Sequence, residues 1–448
     1  MVLPWGIRRA GRRAGKSKED SSIDAASLDT EIAVPMPFRC PISLDLMKDP
    51  VTLPTGITYD RSSIERWIEA GNASCPVTKQ PLGGAGRFDL IPNHAIRKMI
   101  QSWCVENCSL GVERIPTPRI PVTLYEVSEA CKRIAAAANR GDAKRCYELV
   151  GKIRSWVKES ERNRRCATEG GAGDALSAAL ELFGSASTEG RRGGLLEEIV
   201  SALAQVRPVS EEGLARLGSA TSLHCILGFL NCDDLSSRQN AVLVLKEAIS
   251  SNRIRRRALV EGIEEALVRM IREPIGPTAT NASLVALFNM ISHSPNSDKT
   301  RSKLLHLGLV PLLINLLVDS PDKGVCERVL GVLDLLCETR EGRDEAFGHA
   351  LTMPILVKKI LRVSNLATDF AVAILWKLCK NEEGDERRAL IEAIQVGGFQ
   401  KMLVLLQVGC GEGAKENVRE LLKLMNLYKD RVDCVDSSLD FKYLKRPY

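Results

Sequence analysis

Cysteine and histidine are the residue types with which this sequence could hold zinc or attack an acyl carbon, and their spacing favours neither role. The 448 residues include 14 cysteines and 5 histidines, and no two cysteines form a Cys-x-x-Cys pair. A two-zinc site needs eight such ligands in closely spaced pairs. The stretch between residues 34 and 108 offers only Cys40, Cys75, His94, Cys104 and Cys108. We therefore predict no metal, no cofactor and no catalytic nucleophile.

Polar side chains in the same stretch could connect its loops where a metal does not. They combine carboxylates, hydroxyls, an amide and a guanidinium, which form charge-assisted hydrogen bonds. The set is Ser43, Asp45, Asp60, Arg61, Glu65, Thr78 and Asn93. For each residue taken singly, a helix-capping or plain surface role is the alternative.

Short apolar runs separated by Pro and Gly must position these residues. Residues 51–53 and 57–59 flank Pro54-Thr55-Gly56, which predicts a β-hairpin. Because strands and helices are both short here, we expect a small α+β domain.

Two helices complete this domain. Asp60 is a natural N-cap for a helix over residues 61–70 that ends at Gly71. A second helix over residues 94–106 begins after Asn93. Its predicted apolar stripe consists of Ile96, Met99, Ile100 and Trp103.

The chain beyond residue 124 consists of helical segments that repeat. Related segments begin at residues 244, 286, 332, 374 and 421, at spacings of 42, 46, 42 and 47 residues. Gly262, Gly308 and Gly397 precede such helices, where a tight turn needs a positive φ. A period of about 40–47 residues is typical of armadillo and HEAT solenoids, and a generic helical bundle is the alternative. Fainter copies at 134–140 and 199–205 predict degenerate first units.

Residues 37–108 resemble the U-box domain over essentially its whole length. The motifs that carry the resemblance are Cys40-Pro-Ile-Ser, Tyr59-Asp-Arg, Ile64-Glu-Arg-Trp, Cys75-Pro-Val-Thr and Ile91-Pro-Asn. Because helical repeats follow, the chain resembles the plant U-box/armadillo E3 ubiquitin-protein ligases. The resemblance implies a mainly α protein, in which a small α+β U-box (RING-like, metal-free) precedes an armadillo-type α-solenoid.

The resemblance also implies an activity. The U-box would bind a ubiquitin-conjugating enzyme that carries ubiquitin as a thioester, and ubiquitin would pass to a substrate lysine without a covalent intermediate on this chain. The docking residues carried over are Cys40, Pro41, Ile42, Trp67 and Pro76. Lys79 stands where many family members have a basic residue that contacts both partners, although lysine lacks the bidentate geometry of arginine. The alternatives are a core-packed Trp67 and a solvated Lys79.

Two other functions fit part of the sequence. A non-catalytic armadillo adaptor with an inactive U-box should have polar residues at the docking positions, which this chain does not have. An importin-like receptor needs an asparagine at the equivalent position of each repeat, near the end of the third helix. Only Asn289 meets this requirement here, and the other repeats have Glu247, Leu335, Lys377 and Leu424 at that position. We therefore expect a ligase whose solenoid selects protein substrates on its concave face. Homodimerisation through the U-box stays open.

Five regions are predicted. They are a disordered basic and polar tail (1–33), the U-box (34–108), a Pro-rich linker (109–123), the solenoid (124–430) and a C-terminal tail (431–448). The net charge of +6 is concentrated, with six basic residues and no acid among the first 18 and four arginines at 253–257. We interpret both clusters as solvated and expect no nucleic-acid partner.

The apolar runs are too short for a membrane-spanning helix, which needs about 20 residues. No secretory signal is evident at the N-terminus. We therefore expect a cytoplasmic or nuclear protein, and the family resemblance suggests plant stress or defence signalling.

Overall fold

The computed structural model describes residues 34–82, 90–116, 122–185, 193–250, 260–293, 297–380 and 387–428. The chain divides into two compact units, Met1–Ile120 and Pro121–Tyr448. The predicted tails at both ends, the arginines at 253–257 and residues 117–121 of the predicted linker lie outside the described residues.

The first unit contains a three-stranded antiparallel sheet and two helices. Its elements are β1 (Pro50–Thr52), β2 (Thr58–Asp60), α1 (Arg61–Glu69), β3 (Ile91–Pro92) and α2 (His94–Glu106), with 3-10 turns at Met36–Phe38 and Cys108–Leu110. The strand order is β2-β1-β3, and Val51 of the central strand lies opposite Tyr59 and Pro92. The predicted hairpin and both predicted helices are therefore present.

The ends of the two helices follow from local chemistry. Gly71 has a φ of 87° and ends α1, since this conformation is easy for glycine. Asn93 caps α2, because its Oδ1 accepts a hydrogen bond of 3.0 Å from the Ile96 backbone N–H. Met99 was expected in the apolar stripe of α2, but it is 56% exposed, since Ile100 occupies the face that meets the core.

A single apolar core holds the first unit together. Its buried members are Phe38, Cys40, Met47, Val51, Leu53, Tyr59, Ile64, Cys75, Leu82, Ile100, Cys104 and Ile115. Ile115 falls in the predicted linker, yet it is buried in this core. The neighbouring Pro116 carbonyl accepts a hydrogen bond of 2.9 Å from Arg97. The first unit thus continues past residue 108.

The second unit is entirely helical in its described part. Its helices are α3 (Leu124–Asn139), α4 (Ala143–Glu159), α5 (Glu161–Glu169), α6 (Ala172–Gly184), α7 (Gly193–Leu203), α8 (Glu211–Leu217), α9 (Ala220–Leu230), α10 (Leu235–Ser250), α11 (Ile263–Arg272), α12 (Pro277–His293), α13 (Ser297–His306), α14 (Leu309–Asp319), α15 (Lys323–Leu336), α16 (Arg340–Gly348), α17 (Thr352–Lys359), α18 (Asn365–Lys380), α19 (Arg388–Gln395), α20 (Gly398–Val408) and α21 (Glu412–Tyr428). They form one continuous hydrophobic core.

One helix of each repeat packs against its counterpart in the next. The series α4, α7, α10, α12, α15, α18 and α21 forms a continuous stack, which we call the third-helix ladder. A helix inside this ladder is apolar on both flanks, as α15 shows with Val329, Leu330, Val332 and Leu333 all buried. Stacking of this kind confirms the predicted solenoid.

The contacts correct one detail of the repeat assignment. The faint copy predicted at residues 134–140 lies on α3, whereas α4 is the helix that packs on α7 in the ladder. The apolar pattern alone could not separate the two, since both helices bury one face. The copy at residues 199–205 does begin on a ladder helix, α7.

Glycines with positive φ separate the helices of a repeat. Gly262, Gly308 and Gly397 have φ values of 99°, 70° and 84°, as predicted, and Gly171 has the same role before α6 with a φ of 81°. A Cβ at Gly308 would meet no atom within 4 Å, so its requirement is conformational rather than steric.

Among the described helices, none is by itself long and apolar enough to cross a bilayer. Two pairs reach that length and composition only when joined across sharp bends of 73° and 72°, namely Ser297–His306 with Leu309–Asp319 and Arg388–Gln395 with Gly398–Val408.

We predict opposite effects for alanine at two uncrowded glycines. Gly308→Ala should lower the free energy of unfolding by about 1 kcal/mol, because alanine is strained at positive φ. Gly413→Ala, in the first turn of α21, should raise it by about 0.3 kcal/mol, because helix propensity weighs less there than in a helix interior. Urea unfolding followed by circular dichroism at 222 nm measures both. Equal effects of the two substitutions would contradict the conformational role of Gly308.

Candidate functional site

Two loops of the first unit have the same sequence pattern and the same backbone. Residues 40–45 read Cys-Pro-Ile-Ser-Leu-Asp, and residues 75–80 read Cys-Pro-Val-Thr-Lys-Gln. We call them loop 1 and loop 2. In each, the fifth residue is left-handed, with φ values of 62° at Leu44 and 59° at Lys79.

The hydrogen bonds of the two loops correspond one to one. In loop 1, Leu44 N donates to the Cys40 carbonyl at 2.8 Å, and Cys40 N donates to the Asp45 carbonyl at 2.9 Å. In loop 2, Lys79 N donates to the Cys75 carbonyl at 2.9 Å, and Cys75 N donates to the Gln80 carbonyl at 2.9 Å. Each loop is therefore a closed turn whose tip is held by its own backbone.

A hydroxyl tightens each turn further. Ser43 Oγ accepts from Asp45 N, and Thr78 Oγ1 accepts from Gln80 N, both at 3.4 Å. Short hydroxyl side chains stabilise turns in this way. The Ser and Thr in the two motifs are thus structural parts of their loops.

Apolar side chains are exposed at the tips of both loops. Ile42 and Pro76 are half-buried, whereas Leu44 is 69% exposed and Val77 is 52% exposed. Exposed apolar groups held on closed turns are suited to binding another protein. Sequence reasoning missed Leu44 and Val77, although the repeated Cys-Pro-x-Ser/Thr pattern would have identified Val77 as the counterpart of Ile42.

Cys40 is not available for docking, which corrects its predicted role. Its side chain is fully buried, and its Sγ accepts a hydrogen bond of 3.3 Å from the Asp60 backbone N–H. Cys40 therefore anchors loop 1 to the end of β2, while the adjacent Pro41 is exposed.

Cys75 anchors loop 2 to the same strand. Its Sγ lies 3.4 Å from Thr55 Oγ1 and 3.1 Å from Tyr59 Oη, and Tyr59 Oη accepts from Val77 N at 3.3 Å. Burial raises the pKa of Cys75, but hydrogen bonds from Thr55, Thr78 and Tyr59 outweigh it and bring the pKa to about 6. Burial, together with the neighbouring Cys75, raises the pKa of Tyr59, so the phenol is the donor to the sulfur.

Trp67 connects α1 to loop 2. Its Nε1 donates to the Ser74 carbonyl at 2.8 Å, and Asn72 Nδ2 donates to the Trp67 carbonyl at 2.9 Å. One face of the half-buried indole packs against the core, and Lys79 Nζ lies 5.8 Å from the ring centroid. Trp67 therefore has a structural role in addition to any contact that it makes with a partner.

The segment before the hairpin is connected to α1 by carboxylates. Asp60 Oδ1 accepts from the backbone N–H groups of Lys48 and Asp49 at 2.8 and 2.9 Å. Asp60 is the N-cap residue of α1, as predicted, but its side chain makes no capping hydrogen bond to that helix. Arg61 pairs with Asp49 at 2.6 Å and lies 3.9 Å from Glu65.

Two of the predicted loop residues differ sharply in their contacts. Asn93 Nδ2 donates to Thr52 Oγ1 and to Thr58 Oγ1, both at 3.2 Å, so this one amide joins β1, β2 and the start of α2. Asp45 is exposed and takes part in loop 1 through its backbone. The carboxylate that links elements is Asp49, which lies between Arg61 and Arg97 and which the sequence did not single out.

Within the described ranges, no cluster of three or more Cys, His, Asp or Glu side chains has the geometry of a metal site. In this unit, hydrogen bonds of Cys40, Asp60 and Cys75 connect the two loops and the segment before β1 to β2.

Comparison with known families assigns both units. Residues 34–109 match the U-box domain, and residues 126–445 match the ARM repeat region of plant U-box proteins. The chain belongs to the plant U-box/armadillo family. U-box domain-containing proteins 21 and 20 of Arabidopsis thaliana are 44% and 42% identical to it. These alignments cover 94% and 100% of this chain and the same shares of the two relatives.

Relatives named as ligases are also similar over most of their length. The E3 ubiquitin-protein ligase PUB23 of Arabidopsis thaliana is 35% identical over 93% of this chain and 98% of its own. Among solved structures, the designed armadillo repeat protein YIII(Dq)4CqI is 18% identical, with a TM-score of 0.45 over 55% of this chain and 98% of its own. Family membership confirms the predicted class, a U-box ubiquitin transferase.

The environment of Cys75 predicts that stability depends on pH. Its pKa is about 6 in the folded U-box, below the ordinary thiol value of 9.0, so the folded state gains stability as pH rises from 6 to 9 and loses it as pH falls. The slope is at most about 1.4 kcal/mol per pH unit. Amide hydrogen exchange of the first unit at several pH values measures it, with the exchange rates corrected for their intrinsic pH dependence.

Cys75→Ser should reduce this slope. The pKa of Cys40 is also lowered, because hydrogen bonds from the Ser43 and Asp60 backbone outweigh the effect of burial, so part of the slope remains. Cys104→Ala, which alters another fully buried thiol of the same core, is the control and should keep the slope of the native protein. A slope unchanged by Cys75→Ser would contradict the assignment.

The three hydrogen bonds of Asn93 predict a graded series. Asn93→Ala should destabilise the first unit by about 2 kcal/mol, because it loses the α2 cap and leaves two threonine hydroxyls without their donor. Asn93→Asp keeps the cap acceptor and should cost about half as much. Hydrogen exchange of amides in β1 and α2 reports both values. Equal losses would mean that the cap contributes nothing, and no loss in Asn93→Asp would mean that the threonine contacts contribute nothing.

Proposed function

We propose that this chain is an E3 ubiquitin-protein ligase whose U-box binds a conjugating enzyme through the tips of loops 1 and 2. The observation that carries the proposal is the pair of matching turns, each anchored by a buried cysteine and each exposing apolar side chains. The contact residues are Pro41, Ile42, Leu44, Pro76 and Val77. A few apolar anchors on a rigid frame are the usual centre of a protein–protein interface.

Trp67 and Lys79 would form the edge of this surface beside loop 2. The indole fixes loop 2 through Ser74, and Lys79 extends from the same loop in a left-handed backbone conformation. Its ammonium would meet acceptors of the conjugating enzyme or of ubiquitin as a point charge. Arginine would bind the same acceptors with two parallel hydrogen bonds.

The chemistry itself would take place between the bound partners. The amine of a substrate lysine attacks the thioester carbonyl of ubiquitin, an isopeptide bond forms, and the conjugating enzyme's cysteine leaves as the thiolate. The proton lost by the amine passes to solvent or to a base of the conjugating enzyme. This chain would contribute orientation, which raises the effective concentration of the reacting groups.

The armadillo repeats would supply the substrate. Solenoids bind partners along the extended face formed by equivalent helices, and here that face is the third-helix ladder. Recruitment there would place a substrate on the same polypeptide as the bound conjugating enzyme.

Chain formation in a purified system tests the docking surface. The full chain is incubated with ubiquitin, activating enzyme and a panel of conjugating enzymes. Ile42→Lys and Val77→Asp should each lower the rate of chain formation at least tenfold, because a charge enters the apolar centre of the interface. Val105→Lys is the matched control, since Val105 is 47% exposed on α2 and lies outside both loops.

Two results would contradict this docking surface, and each has a different meaning. Loss of activity in Val105→Lys as well would point to general damage of the U-box rather than to docking. No chains from the native protein with any conjugating enzyme would favour the second candidate, a non-catalytic armadillo adaptor. Trp67→Ala is less informative, because it also removes the bond that holds loop 2.

A further inference from the structure

A cleft of about 410 Å³ opens in the N-terminal half of the solenoid. It lies where α5, the segment that follows α7, and α10 of the third-helix ladder meet. Its lining residues are Glu161, Arg164, Gln205, Arg207, Pro208, Lys246 and Glu247. Every one of them except the proline is polar or charged.

The charges of the lining do not cancel. Arg164 is neutralised by Glu161, to which its guanidinium donates two hydrogen bonds, one of them 3.0 Å long from Nε. Arg207 and Lys246 have no ion pair in the part of the chain that the structure describes. Glu247 is the one remaining carboxylate, so the lining keeps one net positive charge.

A third cation lies outside the lining of the cleft, on α15, which α12 separates from α10 in the ladder. Arg328 on α15 donates to the neutral amide of Asn281 on α12 at 3.3 Å, and it too has no carboxylate partner among the described residues. Gly324 leaves room for it, since a Cβ there would lie 2.6 Å from Arg328 Nη1. Asn281 therefore fixes the guanidinium without neutralising it.

These cations repel one another. Burial lowers the pKa of Lys246, and the charge of Arg207 lowers it further. Glu247 opposes this, and Arg328 adds the smallest lowering effect. The charged form of a partly buried lysine in such a cluster is stabilised when an anion binds beside it.

Three other cations of the ladder helices are paired. Lys377 on α18 lies 2.7 Å from Asp334 on α15. Lys380 on α18 lies 3.4 Å from Glu420 on α21. Arg154 on α4 lies 2.6 Å from Glu198 on α7. These three cations are therefore neutralised, whereas Arg207 and Lys246 of the cleft have no ion pair among the described residues.

We propose that this cleft binds a phosphorylated serine or threonine of a substrate protein, with Arg207 and Lys246 as the groups that recognise the phosphate. A guanidinium and an ammonium that share one cleft and have no ion pair among the described residues suit a compact dianion. The inference rests on the proposed function, because it names the class of substrate that the repeats recruit.

Binding of the full-length protein to immobilised peptide libraries tests the proposal. One library carries a central phosphoserine between degenerate flanks, a second carries serine, and a third carries a run of glutamates. The native protein should bind the phosphoserine library at least tenfold more strongly than either of the others. Lys246→Glu and Arg207→Glu should abolish that preference.

Three further variants separate recognition from folding. Lys246→Arg should keep the preference, and Glu247→Gln should strengthen binding severalfold, because a repelling charge is removed. Lys132→Glu makes the same charge change at an exposed residue of α3 and should have no effect. Thermal unfolding identifies any variant that does not fold, and Lys246→Gln then replaces Lys246→Glu.

Each result decides the matter. Equal binding to the phosphoserine and serine libraries overturns the proposal, as does equal or stronger binding to the glutamate library, which would make the occupant an acidic segment. If Lys132→Glu weakens binding to the phosphoserine library as much as Lys246→Glu does, the binding depends on net charge rather than on this cleft, and the proposal is overturned. Ubiquitin chain formation by the native protein without peptide is measured separately, so that failure of phosphate binding and failure of the ligase activity are distinguished.

Discussion

The burial of two loop cysteines against β2 is the interaction on which the U-box depends. Cys40 contacts the backbone of Asp60, and Cys75 contacts the hydroxyl of Tyr59, so two loops far apart in sequence are fixed to adjacent residues of one strand. A metal would hold such loops by coordination whatever the state of the core. Here the hydrogen bonds form only while the sulfur atoms are buried, so the loop tips keep their geometry only while the core is folded.

In the solenoid, the polar side chains of the third-helix ladder lie on the part of each helix that is not buried. Ladder helices such as α15 are buried on both flanks, which leaves only a narrow exposed strip for polar residues. Some charges on that strip are neutralised by a residue of a neighbouring repeat, as Lys377 is by Asp334. Such pairs contribute little net energy individually, but each one cancels charge locally. Specificity for a partner can then arise at the few places where a charge has no counterpart.

Sequence predicted those features of the fold that are encoded locally. The hairpin and α1 follow from turn residues and helix signals within a few positions, and the solenoid follows from its period. The set of linking carboxylates correctly included Asp60 but omitted Asp49, because only the fold shows that Asp49 faces Arg61, 12 residues further along the chain. The burial of Cys40 and the exposure of Met99 likewise depend on packing between elements, which no local pattern contains.

The left-handed backbone at Lys79 restricts what evolution can place there. β-Branched side chains are strongly disfavoured in this conformation, and proline is excluded, whereas long unbranched residues share nearly the same backbone cost. Lysine and arginine are therefore interchangeable at position 79 as far as folding is concerned, and differ only in what their head groups can bind. A single-residue exchange at this position can change the strength of a partner contact without altering the scaffold that presents it.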